Sequence, residues 1–145
     1  MARLSEVFRR DHQRLEEIIG EVERRVATGE WPQALAGFTS FREAIERHMA
    51  VEEQWLFPVA ETDDVPASSA LTATLRKGHR DLRVFFEELQ DALAARDDEE
   101  FRQTAATMRE LLRLHDEKEE VELYSAVESC LDNDGAAVIA RLAGQ

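Results

Sequence analysis

The sequence predicts an all-α fold, an up-down-up-down antiparallel four-helix bundle with a pseudo-two-fold internal repeat, and three observations carry that prediction. Six Gly and three Pro in 145 residues leave too few breaks for the many turns of a β fold, while the good helix formers Leu, Ala, Glu and Arg dominate. Apolar residues recur at helical spacing along four long stretches joined by short links, the pattern of helices that bury one face each. The four histidines fall on one repeat: His79 follows His12, and His115 follows His48, by the same 67 positions (79 − 12 and 115 − 48).

The first helix is expected over about 5–28, with Ser5 as a usable N-cap and Gly29 as its stop. Its apolar stripe is Phe8, Leu15, Ile19, Val22 and Val26, and His12 fills the gap after Phe8, so it points into the core. Pro32 suits the first turn of a second helix over about 32–59. The stripe there reads Phe38, Phe41, Ile45, His48, Glu52 and Leu56, and Pro58 closes it. Residues 61–69, with two Asp, a Pro and two Ser, form the longest connection. A third helix, about 69–95, carries Leu71, Leu75, Leu82, Phe86, Leu89 and Leu93, with His79 between Leu75 and Leu82. Asp97-Asp98-Glu99-Glu100 supplies a cap and a negative first turn for a fourth, about 98–131, whose stripe is Phe101, Ala105, Met108, Leu112, His115, Glu119 and Leu123. Asn133-Asp134-Gly135 ends it, and 136–143 add a short docked turn of helix. The apolar framework repeats as well: Leu15 matches Leu82, Val22 matches Leu89, Ile45 matches Leu112, and Leu56-Phe57 matches Leu123-Tyr124.

A chain of this length suits one domain over 1–145. Its 43% apolar and 34% charged residues read as a soluble globular protein. The formal charge of −13 repels phosphate backbones and anionic lipid, so no nucleic-acid or membrane partner is expected. Charges occupy the N-terminal stretch where a signal peptide needs its apolar run, and a cytoplasmic location is the expectation. The single Cys130 has no partner for an internal disulfide and reads as a thiol packed in the fourth helix.

Two stretches break the apolar pattern with chemistry. His48 precedes Glu52 by four residues, and His115 precedes Glu119 by four, so each pair shares one helix face. A buried carboxylate without a partner costs several kcal/mol, and here two Glu and four His interrupt apolar stripes. A dinuclear metal site compensates them: His12 and His48 near one ion, His79 and His115 near the other, Glu52 and Glu119 bridging. Imidazole and carboxylate ligands without a thiolate suit iron first, or manganese, over a structural zinc. Six protein ligands do not fill two octahedra, so water, hydroxide, oxide or a small exogenous ligand completes them.

The pattern of a lone His, an HxxxE, a second lone His and a second HxxxE resembles the hemerythrin-like, or HHE cation-binding, domains. It is met by His12, His48 with Glu52, His79, and His115 with Glu119, with Asp11-His12, Glu52-Glu53 before Leu56-Phe57-Pro58 and Glu119-Glu120 before Leu123-Tyr124 as flanking features. The resemblance spans about 5–131 and implies a four-helix bundle around two iron ions, a carboxylate-bridged non-haem di-iron centre with an oxo or hydroxo bridge. Oxygen-carrying members place a second His one turn after the His of the third helix, where this chain has Arg83, and a His followed five residues later by Asp, where this chain has Glu120. The resemblance therefore points away from plain oxygen transport.

Several neighbours have two readings. Glu16 is a solvated flank residue or an extra carboxylate ligand, and Arg83 faces water or pairs with a carboxylate near the centre. Trp55 and Tyr124 pack at the core or rim, with the Tyr124 hydroxyl alternatively a ligand or hydrogen-bond donor. Glu53 and Glu120 are expected at the surface or supporting the ligands. The expected function is binding of, or reaction with, oxygen species, with a small diatomic or peroxide ligand: oxygen binding or sensing, or peroxide turnover. The alternatives are a non-catalytic iron storage or iron-responsive module, and a metal-free helical interaction domain whose ligand repeat is a coincidence. The oligomeric state is open, and a monomer is compatible with the sequence.

Overall fold

The computed structural model describes residues 2–62, 69–131 and 134–144, and every regular element among them is helical. The order is α1 (Leu4–Ala27), α2 (Trp31–Val51), a π-helical turn π1 (Glu52–Leu56), α3 (Phe57–Ala60), α4 (Ser69–Ala94), α5 (Asp98–Lys118), a second π turn π2 (Glu119–Leu123), α6 (Tyr124–Leu131) and α7 (Gly135–Leu142). The second and fourth expected helices are thus present but not uniformly α-helical. Each changes pitch at the Glu of its HxxxE. Pro58 is not the cause of the first change, because π2 recurs where the matching residue is Ser125.

Helix ends follow local chemistry. Gly29, at φ 72°, closes α1 by donating to the Val26 carbonyl at 3.0 Å while Glu30 donates to Arg25 at 2.9 Å, the paired bonds of a left-handed C-terminal cap. The same closure ends α4, with Arg96 to Leu93 at 3.1 Å and Asp97 to Ala92 at 2.9 Å, but the left-handed residue is Arg96 at φ 51°. Asp97 caps α5 as expected, accepting from the Glu100 amide at 3.1 Å. Ser5 does not cap α1. Leu4, buried at the first position, already belongs to the helix, and Arg3 precedes it without a side-chain cap. Pro58 does not stop the second segment either, since it lies within α3, which runs to Ala60. Of the expected connection over 61–69, residues 63–68 lie outside the described residues, as does Asn133 of the expected final stop.

α1 packs against α2 and α4 against α5, and the two pairs meet through α2 with α4 and α1 with α5. Two apolar clusters form. One holds Ile19, Phe38, Phe41, Ile45, Phe86, Phe101 and Met108; the other holds Phe8, Leu56, Phe57, Leu75, Tyr124 and Val127, closed by Val138 and Leu142 of α7. Each such side chain contributes about 1.5–3 kcal/mol when fully buried. The expected docked turn at 136–143 is therefore a full element of the second cluster. Along each long segment the histidines fall between residues of the two clusters, so a polar layer separates them.

Cys130 is a correction: it is exposed, while Val127 and Leu131 face the core. A straight α-helical stripe through Leu123 leads to position 130. The π turn advances the register, and the inward positions become 124, 127 and 131.

Candidate metal centre

His12 on α1, His48 on α2, His79 on α4 and His115 on α5 converge with Glu52 and Glu119, the first residues of the two π turns. Both Glu are fully buried. Their ligand-type atoms form two overlapping groups, His12, His48, Glu52, Glu119 and Glu52, His79, His115, Glu119, each with all atoms within 4.8 Å of one another. Glu52 and Glu119 belong to both. The oxygens of each carboxylate divide between the groups: Glu52 Oε2 lies 3.2 Å from His48 Nε2 and Oε1 3.1 Å from His79 Nε2, while Glu119 Oε1 lies 3.2 Å from His12 Nε2 and Oε2 3.2 Å from His115 Nε2. The sequence expectation paired His12 with His48, whose Nε2 atoms are 3.1 Å apart, and His79 with His115, whose rings lie 4.9 Å apart.

Three of the four imidazoles are oriented from behind. Nδ1 of His12 meets Glu120 at 2.7 Å, that of His48 meets Asp11 at 2.7 Å, and that of His79 meets Glu53 at 2.8 Å. A carboxylate that accepts from Nδ1 leaves Nε2 directed inward for a metal. Glu53 and Glu120 therefore support ligands, and Arg83 is not a plain surface residue, since it grips Glu53 at 2.9 and 3.1 Å. His115 is placed instead by packing on the α4 backbone: a Cβ at Gly78 would lie 2.5 Å from its Nδ1.

Tyr124 packs in the core as expected, and its hydroxyl takes the alternative role of hydrogen-bond donor. Fully buried, its hydroxyl donates to Glu52 Oε2 at 2.6 Å and lies 3.1 Å from Glu119 Oε1, 3.0 Å from His12 Nε2 and 3.3 Å from His48 Nε2. Sequence reasoning missed Asp116, whose carboxylate lies 3.3 Å from His12 Nε2. Its position four after Leu112 and three before Glu119, on the inward face of the stripe, was the available signal. Trp55 lies at the rim, half exposed, with the Arg141 guanidinium 5.5 Å from its ring. Glu16 is a flank residue, exposed and 3.4 Å from Arg109.

The electrostatics are those of buried charges held by one another. Burial opposes ionisation of Glu52, but the positive His48 and hydrogen bonds from His48 and His79 hold its carboxyl well below the usual range. Burial also opposes charging of His48, yet Glu52 and Asp11 raise it to about 9. Burial pushes Asp116 up to about 7. Among the described residues two buried side-chain atoms remain without a hydrogen bond, His115 Nε2 and Glu119 Oε2. Such atoms are costly unless something else engages them, and both are metal-ligand types facing the same point. The donor set fits a bound metal.

A cavity of about 10 Å³ lies among these residues, the volume of one water-sized sphere. A surface pocket of about 320 Å³ between α1 and α5 reaches His12, Leu112 and Asp116, which also line the inner cavity. No helix of the described residues is long and apolar enough to cross a membrane.

Comparison with curated proteins and with solved structures gives no match. A family model described as the Hemerythrin HHE cation binding domain matches residues 3–127, a range that contains all the converging His and Glu side chains and implies a metal site built from them. On that match, over most of its length, the chain belongs to the hemerythrin HHE cation binding domain family.

Proposed function

We propose that the chain is a single hemerythrin-like domain, an up-down-up-down antiparallel bundle with pseudo-two-fold symmetry, that holds two iron ions and binds or reacts with oxygen species. The observation that carries this reading is the sharing of Glu52 and Glu119 between two four-residue groups. A carboxylate whose two oxygens face two different imidazoles is placed to bridge two ions. His12 and His48 would hold one iron, His79 and His115 the other. When bound, such a pair supplies redox equivalents and Lewis acidity to a small ligand such as dioxygen or peroxide.

The protein's own groups prepare that site. Glu120, Asp11 and Glu53 fix three ring orientations. The Tyr124 hydroxyl holds a proton at Glu52 Oε2. Phe8 and Leu112 limit water, while the pocket between α1 and α5 brings small solutes to His12 and Asp116. The charge of −13 and the membrane-free helices fit a cytoplasmic protein.

Protein purified in air should contain about two iron ions per chain and show near-ultraviolet charge-transfer absorption. Mixing with hydrogen peroxide then divides the readings: sustained oxygen release assigns turnover, and a single bleaching with iron loss assigns storage or sensing. Glu119→Ala should lower iron content and melting temperature together. An unchanged iron stoichiometry in that variant removes Glu119 from the ligand set, and a chain that takes up no iron ends the proposal.

A further inference from the structure

We infer that the two metal positions are chemically unequal, the one bounded by His12 and His48 taking a divalent ion first and more tightly than the one bounded by His79 and His115. The inference rests on the dinuclear reading above. It comes from what surrounds each position.

The repeat of 67 residues assigns every side chain at one position a counterpart at the other, and four pairs differ in the same sense. Asp11, the carboxylate on His48 Nδ1 at 2.7 Å, has Gly78 as its counterpart, a residue with no side chain, whose added Cβ would lie 2.5 Å from His115 Nδ1. Asp116, 3.3 Å from His12 Nε2, corresponds to the apolar Met49. Tyr124, whose oxygen lies within 3.3 Å of both His12 and His48, corresponds to Phe57, which stacks on His79 at 5.3 Å and offers no oxygen. Glu16 corresponds to Arg83. Glu16 points away to Arg109, and among the described residues Glu120 behind His12 has no Arg or Lys within ion-pair distance, whereas Arg83 grips Glu53 behind His79 through two hydrogen bonds.

Carboxylates behind a ligand raise its basicity, and a cation on that carboxylate withdraws the effect. The first position therefore has two supporting carboxylates on its imidazoles, a third carboxylate alongside and a phenol oxygen. Among the described residues the second has one supporting carboxylate, Glu53, already paired with a guanidinium. Arg14 contacts Asp11 at 3.0 Å, but Arg14 is half exposed and its charge is screened by solvent. The shared Glu52 and Glu119 contribute to both positions and cancel in the comparison.

The test is an anaerobic titration of the metal-free chain with Co(II), followed by calorimetry and by the visible spectrum of the bound ion. Two ions per chain should bind in two resolved steps, separated by roughly tenfold or more, the change expected from altering groups behind the ligands. Asp116→Asn and Tyr124→Phe should weaken the first step and leave the second. Arg83→Gln should tighten the second, a gain that a misfolded variant does not produce. Two ions bound with equal affinity, or Asp116→Asn and Tyr124→Phe acting only on the second step, overturn the inequality while leaving the dinuclear centre intact. A chain that binds no cobalt overturns both.

Discussion

Replacing Gly78 with Ala sets two physical effects against each other at one residue. Gly in the interior of a helix is less stable than Ala by about 0.5–1 kcal/mol, and Gly78 lies well inside α4. On propensity alone the substitution stabilises. The added Cβ, however, would lie 2.5 Å from His115 Nδ1 and 3.1 Å from its Cε1, where ordinary contact begins near 3.4 Å. The imidazole or the α4 backbone must therefore retreat by about 1 Å, several times the ~0.2 Å within which metal–ligand distances are held. Gly20→Ala is the matched control, because its Cβ would meet only the flexible end of Arg24 at 3.7 Å. Gly20→Ala should raise stability by about 0.5–1 kcal/mol with metal binding unchanged. Gly78→Ala should lower affinity for the ion at the His79–His115 position by roughly 10–100-fold while the other ion is retained. Urea denaturation of the metal-free forms and cobalt titration of both variants measure these effects. If Gly78→Ala gains stability as Gly20→Ala does and binds two ions with unchanged affinity, the placement of His115 against α4 is wrong.

Two further outcomes follow from the same geometry. In the metal-free protein His48 holds its proton up to about pH 9, and a metal binds only the neutral imidazole, so uptake at pH 7 should release protons. Apparent affinity should fall about tenfold for each unit the pH is lowered, per proton displaced, and the proton release is measured as buffer-dependent calorimetric heat; a heat independent of buffer ionisation contradicts this. Arg96 occupies a left-handed backbone conformation at φ 51°, where the matching residue of the first half is Gly29. Arg96→Gly should relieve part of the ~1–2 kcal/mol that conformation costs a side-chain-bearing residue, raising the urea midpoint without changing the slope.

Most of the helical layout was legible because it is written in apolar periodicity, which burial enforces residue by residue. The stripes through Phe8 to Val26 and Leu71 to Leu93 needed only spacing. The six converging His and Glu were legible for the complementary reason: polar residues at positions that burial reserves for apolar ones must have partners. Spacing does not report what stands behind a ligand. Glu120, Asp11 and Glu53 act on helices other than those of the imidazoles they orient, and Arg83 reaches Glu53 across thirty residues of sequence. Those relations depend on how helices are placed against each other, and only the packed structure supplies them.

The misplacement of Cys130 has one cause, a change of helical pitch. In an α-helix residues five apart lie about 140° apart around the axis, so a straight stripe reads Cys130 as a core position and does not bring Tyr124 back over Glu119. In each π turn the amide five residues on bonds back to the Glu of the HxxxE: Phe57 to Glu52 and Tyr124 to Glu119. That wider turn brings the fifth residue back over the first, and the Tyr124 hydroxyl reaches Glu119 Oε1 at 3.1 Å. Leu123 and Tyr124 are both fully buried, and the Tyr124 ring packs in the apolar cluster while its hydroxyl reaches the polar layer. Single π turns inside α-helices recur at functional sites. Here the widening brings an imidazole, a carboxylate and a phenol of one segment into the same layer.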